Sequence, residues 1–217
     1  RVALGLVVGA GLASTGAAYQ GLLRNPLAEP YVLGVSGGAA LGATLAIAAA
    51  SVLTLPALAT TTFVAVAAAL SGGLATLLVW LLAARSTDLA SRDDVMRGHA
   101  TSILLAGVVV NAIASGAITF VKTVVRASTA QQLLFWLAGF LDVPTPAALA
   151  VISCTVLLSA VILLPTAPQL NLLAMGDEHA AHLGVEVRSL ERRVFLASSI
   201  VVGAVVATSG MIGFVGL

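Results

Sequence analysis

The stretch that decides the fold is Tyr19–Gly42, YQGLLRNPLAEPYVLGVSGGAALG. One apolar run arrives from Val2 and another leaves from Tyr31; between them stand Arg24, Asn25, Pro26, Glu29 and Pro30. A proline disfavours helical geometry at the residue before it, so Asn25 and Glu29 are each pushed toward extended backbone. One helix therefore ends here and a second begins. Asn25 and Glu29 carry oxygens that can accept from backbone N–H groups freed by the break. On its residues alone, the stretch is a tight turn between two helices.

Composition decides what surrounds that turn. The chain has 217 residues, 59% hydrophobic and 9% charged, with a mean hydropathy of +1.09. A soluble domain carries roughly 25% charged residues. Ten basic and nine acidic side chains cannot cover this much apolar surface in water, so the chain belongs in a bilayer. Its abundant Ala and Gly suit close helix packing in lipid. A net charge of +1 leaves no footprint for nucleic acid. Cys154 is the single cysteine and lies in an apolar run, where it cannot form an internal disulfide and reads as packing. The opening at Arg1, without a charged leader, and the end at Leu217 in a Gly-rich apolar run lead us to expect a fragment of a longer membrane protein.

A spanning helix needs about 20 apolar residues. Six segments qualify as expected spans: Val2–Leu23, Tyr31–Leu53, Pro56–Ala84, Ser102–Val125, Ala147–Leu164 and Val194–Val215. GxxxG spacings occur at Gly5/Gly9 and Gly38/Gly42, and the third span holds Gly72-Gly73. Ser128–Leu141 is too short to cross and reads as an interfacial or re-entrant helix with Phe135 and Trp136 at headgroup depth. Two segments are aqueous, 85–101 and 169–193. In the second, Asp177 can cap a short helix that Gly184 ends, and another short helix can run from Glu186 to Arg193. The expected architecture is all-α and polytopic, a single transmembrane domain over 1–217.

Alternation of the spans puts the Arg24 turn, 85–101 and 169–193 on one side. That side holds Arg24, Arg85, Arg92, Arg97, Arg188, Arg192 and Arg193, and the other holds Arg1, Lys122 and Arg126. The positive-inside rule makes the first side cytoplasmic. Arg1 and the end of the chain then face outward.

No enzyme motif emerges, so no catalytic residue is expected. There is no phosphate-binding GxxxxGK[ST], and Gly9-Ala-Gly11 lies inside an apolar helix rather than after a strand. His179 and His182, with Glu178 beside them, have a spacing that metals use, but a solvated helix face explains them better and no metal site is expected. His99 reads as a solvated loop residue. Asn111, Ser115 and Thr119 recur at i, i+4 and i+8, with Lys122 on nearly the same face. Such a stripe either glues helices together or lines a passage. Lys122 and Arg126 are snorkelling anchors or part of an outer vestibule. Segment 169–193, with both charge signs and a central glycine, looks like a docking element.

These residues resemble a known family. GLASTGAAYQGLLRNPLAEPYVLGVSGGAALGA, LLAGVVVNAI at Leu104, FWLAGFL at Phe135, LNLLAMGDEHAAHLGVEV at Leu170 and ATSGMIGFVGL at Ala207 look like the signature of FecCD-type ABC importer permeases, which import ferric siderophores, haem or cobalamin. The resemblance implies a ten-span permease, of which this chain holds the second to seventh spans. It also implies an inner (plasma) membrane location in a bacterium or archaeon and pairing with a second permease subunit, as a homodimer or as homologous halves. Segment 169–193 matches the family's cytoplasmic coupling helices, so Gly176, Asp177, Glu178, His179, His182, Leu183 and Gly184 would meet a separate ATP-binding subunit. Arg1, and with it Arg126, would face a periplasmic or surface substrate-binding protein. The stripe of Asn111, Ser115, Thr119 and Lys122 would line the translocation path, although Lys122 and Arg126 are not part of the family pattern. Asn25, Pro26, Glu29 and Pro30 would form an architectural hinge. No cofactor is expected in this chain, since ATP would be used by the partner. The alternatives are a secondary transporter and a structural or channel-like membrane protein, neither of which needs an ATPase.

Overall fold

Apolar runs in lipid have no hydrogen-bond partner for the backbone except the backbone itself, so they close into helices. The computed structural model describes residues 1–53, 56–87, 92–142, 145–213, 215 and 216, with backbone only at 32, 57, 58, 84, 86, 87 and 92–101. Its helices, in chain order, are α1 (Val2–Leu23), α2 (Val35–Leu53), α3 (Ala57–Thr87), α4 (Arg92–Val124), α5 (Ala127–Leu137), α6 (Pro146–Leu163), α7 (Ala167–Leu173), α8 (Asp177–His182) and α9 (Val187–Ser209). Two 3₁₀ turns, Pro30–Leu33 and Leu164–Thr166, precede α2 and α7. There is no strand among the described residues. Among the described residues, five helical segments are long and apolar enough to cross a membrane: Val2–Leu23, Val35–Leu53, Ala59–Ala83, Ser102–Val124 and Pro146–Leu173.

The core has two layers, one toward each end of the helices. One joins Leu4, Val8 and Leu12 of α1 to Ile118 of α4, Trp136 of α5, and Val201 and Val205 of α9. The other joins Tyr19 and Leu22 of α1 to Val79 of α3, Ile103 of α4, Leu173 of α7, Ala180 of α8 and Phe195 of α9. The first layer holds the expected outer halves of the helices and the second the inner halves. Helix α9 runs through both and touches α1, α2, α3 and α6. On the periphery, Leu6, Leu70, Leu74, Val151, Leu157 and Val161 remain exposed. That is an apolar exterior suited to lipid or to further helices.

The closest helix pair is α2 with α3. A side chain at Gly38 would collide with Ala75, and one at Gly42 with Ser71 and the Ala67 carbonyl. Ser71 Oγ donates to the Gly38 carbonyl across the seam at 2.7 Å. The spacing Gly38/Gly42 thus does what GxxxG does in membranes, bringing two backbones together. Gly5 and Gly9 do not: Gly9 faces open space, and Gly5 meets only Leu141 at 3.6 Å. On α1 the tight positions are Gly11, where an added Cβ would meet Val156 and Val201 at 3.0 Å each, and Gly16, which abuts Gly216.

Several boundaries differ from the sequence expectation. The second span starts at Val35, because Pro30–Leu33 forms a 3₁₀ turn and Gly34 takes φ 89°. The short helix expected at 186–193 and the sixth span are one rod, α9, since no proline or glycine interrupts 187–202. That rod ends at Ser209 rather than Val215, where Gly210 turns to φ 69°. Pro165 and Pro168 do not stop the fifth span. Each sits at the start of a helical turn, where no N–H is needed, so the chain continues through Leu173. The interfacial helix ends at Leu137, before Gly139 at φ 74°. Helices α3 and α4 run past Ala84 and begin before Ser102, into the expected aqueous segment. The charged and histidine side chains expected there, from Asp88 to His99, lie outside the described residues.

Candidate coupling and translocation site

Residues 24–31 leave α1 through a compact turn. Arg24 caps α1 at φ 49° and ψ 36°, the one non-glycine residue with positive φ among the described residues. Asn25 Oδ1 accepts from the Leu27 N–H at 2.9 Å, and the Ala28 N–H donates to the Asn25 carbonyl at 3.0 Å. This is the Asx turn that Asn before Pro favours. Glu29 is extended, at φ −123° and ψ 139°, as the residue before Pro30 should be. It makes no side-chain cap to the 3₁₀ turn that follows. Asn25 and Pro26 are exposed, whereas Ala28, Glu29 and Pro30 are buried.

Three contacts fasten this turn. The Tyr31 carbonyl accepts from Asn111 Nδ2 of α4 at 2.8 Å. The Tyr31 hydroxyl accepts from the Ile212 N–H at 2.8 Å. Gly216 packs so close to Pro30 that a Cβ added to it would meet the proline ring at 3.0 Å. After α9 ends the chain therefore turns back, bringing Ile212 to Tyr31 and Gly216 against Pro30 and α1, which the sequence reading does not anticipate because it extends the last span to Val215. The hint lies in Gly210, Gly213 and Gly216, where small residues permit an extended strand of chain to lie against helices.

The fourth contact is electrostatic. Arg24 Nη2 meets Asp177 Oδ1 at 3.0 Å, with the two side chains 39% and 14% exposed. Asp177 is the first residue of α8 rather than its cap; Gly176, at φ 116°, holds the cap position. The carboxylate is taken by Arg24 instead of by backbone N–H groups. Gly184, at φ 85°, ends the unit as expected. Helix α8 buries Ala180 and exposes Glu178, His179 and His182, with Leu183 and Gly184 exposed just beyond it. No group of three or more His, Cys, Asp or Glu side chains suited to a metal occurs among the described residues.

The α4 stripe divides. Asn111 is half-buried and bonded to Tyr31, whereas Ser115 and Thr119 are exposed and Lys122 is half-buried. At the outer end Arg126 is exposed, and Arg1 pairs with Asp142 at 3.3 Å. Arg1 and Arg126 thus stand on the same expected face, opposite to Arg24 and α8. Cys154 is exposed on α6.

The model of the FecCD transport family matches residues 1–217. The chain belongs to the FecCD transport family. Curated FecCD-type relatives include the hemin transport system permease protein HmuU of Yersinia pestis, 38% identical over 217 residues, covering all of this chain and 61% of that protein. The cobalamin import system permease protein BtuC of Halobacterium salinarum is 36% identical over 226 residues, covering all of this chain and 54% of that protein. This chain thus spans roughly three fifths of the length of the relatives it matches. Among solved structures, an inward-facing metal-chelate type ABC transporter superposes with a TM-score of 0.84 at 29% identity, covering all of this chain and 64% of that one. The FecCD chain is therefore an all-helical, multi-pass membrane protein related to ABC permeases for haem, cobalamin and metal chelates.

Proposed function

We propose that this chain is part of a transmembrane permease subunit that imports a metal chelate of the ferric-siderophore, haem or cobalamin kind across the plasma membrane. The import is driven by a separate ATP-binding subunit and fed by an external substrate-binding protein. The observation that carries this reading is α8. It is a two-turn helix, at the end of the bundle that the positive-inside rule assigns to the cytoplasm, that exposes the large apolar side chains Met175 and Leu183 at its two ends and yet is tied to α1 through Arg24–Asp177. Apolar side chains held outside the lipid need a protein partner, and a tether to the bundle passes movement of that partner to the spans. Gly176–Gly184 is the contact for the ATPase. Ser115 and Thr119, exposed on α4, and the half-buried Lys122 face a second permease subunit across the path, with Asn111 holding α4 to the turn. Arg1 and Arg126 meet the binding protein. The spans tilt as rigid bodies in alternating access.

The test is reconstitution of the full-length permease with its cognate ATPase and binding protein, followed by uptake of labelled ferric siderophore, haem and cobalamin. Accumulation of one of them that requires ATP and the binding protein supports the reading. Equal uptake without ATP would mean a secondary transporter or channel instead.

A further inference from the structure

The chain that returns after α9 is held along its length. At its start the Phe140 N–H donates to the Ser209 carbonyl at 2.7 Å, joining the exit of α5 to the last residue of α9. The two stretches lie so close that a Cβ on Gly139 would collide with the Met211 carbonyl, and one on Gly210 with the Trp136 carbonyl. Next, the Ile212 N–H donates to the Tyr31 hydroxyl at 2.8 Å. Farther on, Gly216 abuts Gly16, and its carbonyl accepts from Gln20 Nε2 at 3.4 Å. The return thus begins beside Trp136, in the core layer that holds Leu4, and reaches Gln20, next to Tyr19 of the other layer.

The Arg24 turn arrives from the opposite end of the bundle. Its Tyr31 carbonyl accepts from Asn111, near the middle of the Ser102–Val124 span. Two non-helical stretches therefore meet inside the bundle. Irregular backbone at membrane depth persists only where protein buries it or a water-filled cavity adjoins it, and here side chains of α1, α4 and the turn bind it. Pro26 and Pro30 fix φ at two positions between Arg24 and Tyr31, and the Asn25 turn closes the stretch between them, so the turn is stiff. Contacts then run without a break from Asp177 of α8 through Arg24, Tyr31 and Ile212 to Phe140 at the exit of α5. We propose that the return segment is a strut between the Arg24 turn and α5, and that Tyr31 is the positioning residue that fixes it. Displacement of α8 shifts the turn, the strut and the exit of α5 together. The use of the strut in transport rests on the coupling role proposed for α8. A route of contacts becomes coupling only if its two ends respond to each other.

The experiment compares Y31F and Q20A with the wild type. Amide hydrogen exchange is read in the full-length permease in nanodiscs, and uptake and ATP hydrolysis in proteoliposomes with the cognate ATPase and binding protein. Y31F removes one hydroxyl and keeps the ring. Ile212 should exchange about fivefold faster, the factor carried by one lost hydrogen bond. Phe140 should accelerate with it, whereas residues 38–46 of α2 should keep wild-type rates. Q20A, which loosens the far end of the strut, should act in the same direction and serves if Y31F inserts poorly. In proteoliposomes Y31F should lower the substrate accumulated per ATP hydrolysed several-fold. Mere loss of folded permease would lower both rates together and leave that ratio unchanged. Wild-type exchange at Ile212, wild-type exchange at Phe140 while Ile212 opens, or an unchanged ratio would overturn the proposal. The exchange arm needs no ATPase, so the strut can fail there while the coupling role of α8 stands. Wild-type uptake that ignores ATP would instead remove the coupling role, with the strut decided by exchange alone.

Discussion

Arg24, at the left-handed end of α1, and Asp177, the first residue of α8, meet at 3.0 Å. Helix ends with a left-handed residue usually employ glycine, because a side chain there costs about 1 kcal/mol. An arginine in that position keeps the backbone strain and gains a tether. R24G should relieve the strain and lose the pair, which is worth no more than about 1 kcal/mol at partial exposure. Global stability should therefore change by less than about 1 kcal/mol while exchange of the α8 amides accelerates several-fold. Thermal unfolding in detergent and hydrogen exchange on the same samples check both halves of this outcome.

The α2–α3 seam makes a sharper demand. G42V places a branched side chain against Ser71 and the Ala67 carbonyl, where neither backbone can yield cheaply. Overpacking of this kind costs about 1–3 kcal/mol or more. The thermal midpoint in detergent should fall by several degrees. G73A, on a glycine with nothing within 4 Å, should leave it unchanged.

Asn111 tests whether the polar stripe is uniform. N111A leaves the Tyr31 carbonyl without its donor and should cost about 1 kcal/mol. N111D should be no better, since an ionised carboxylate cannot donate. S115A and T119A, on exposed positions, should leave stability unchanged and act only on uptake. Unfolding midpoints and transport rates of the four variants separate glue from passage.

At the outer face, Arg1 and Asp142 pair at 3.3 Å with side chains 69% and 72% exposed. Such a pair contributes almost nothing to stability. D142N should fold like the wild type. R1E combined with R126E should weaken capture of the binding protein and flatten its salt dependence, as read by binding at two ionic strengths.

The helical framework is legible because its code is one-dimensional. Runs such as Val2–Leu23 state their own length, and Pro26 and Pro30 state where a helix must break. Arg24, Arg188 and Arg193 gather at one end of the helices and Arg1 and Arg126 at the other, and the core divides into a layer toward each end. Less legible is whatever depends on which distant residues meet. The spacing of Gly5 and Gly9 equals that of Gly38 and Gly42, yet only the second pair finds a neighbouring helix. Asp177 has the composition of a helix cap, but the nearby Arg24 outcompetes backbone N–H groups for it. The return of Gly216 to α1, and the Tyr31 bonds to Asn111 and Ile212, join segments far apart in the chain, and no local pattern announces them.

The central claim is that force from an ATP-driven partner enters through α8. The most direct measurement replaces His179–Gly184 with a flexible Gly/Ser linker in the full-length permease and compares ATP-driven substrate uptake in proteoliposomes at equal membrane insertion. The account predicts that the variant inserts and folds but accumulates no substrate above the ATP-free background. Uptake at the wild-type rate would contradict it.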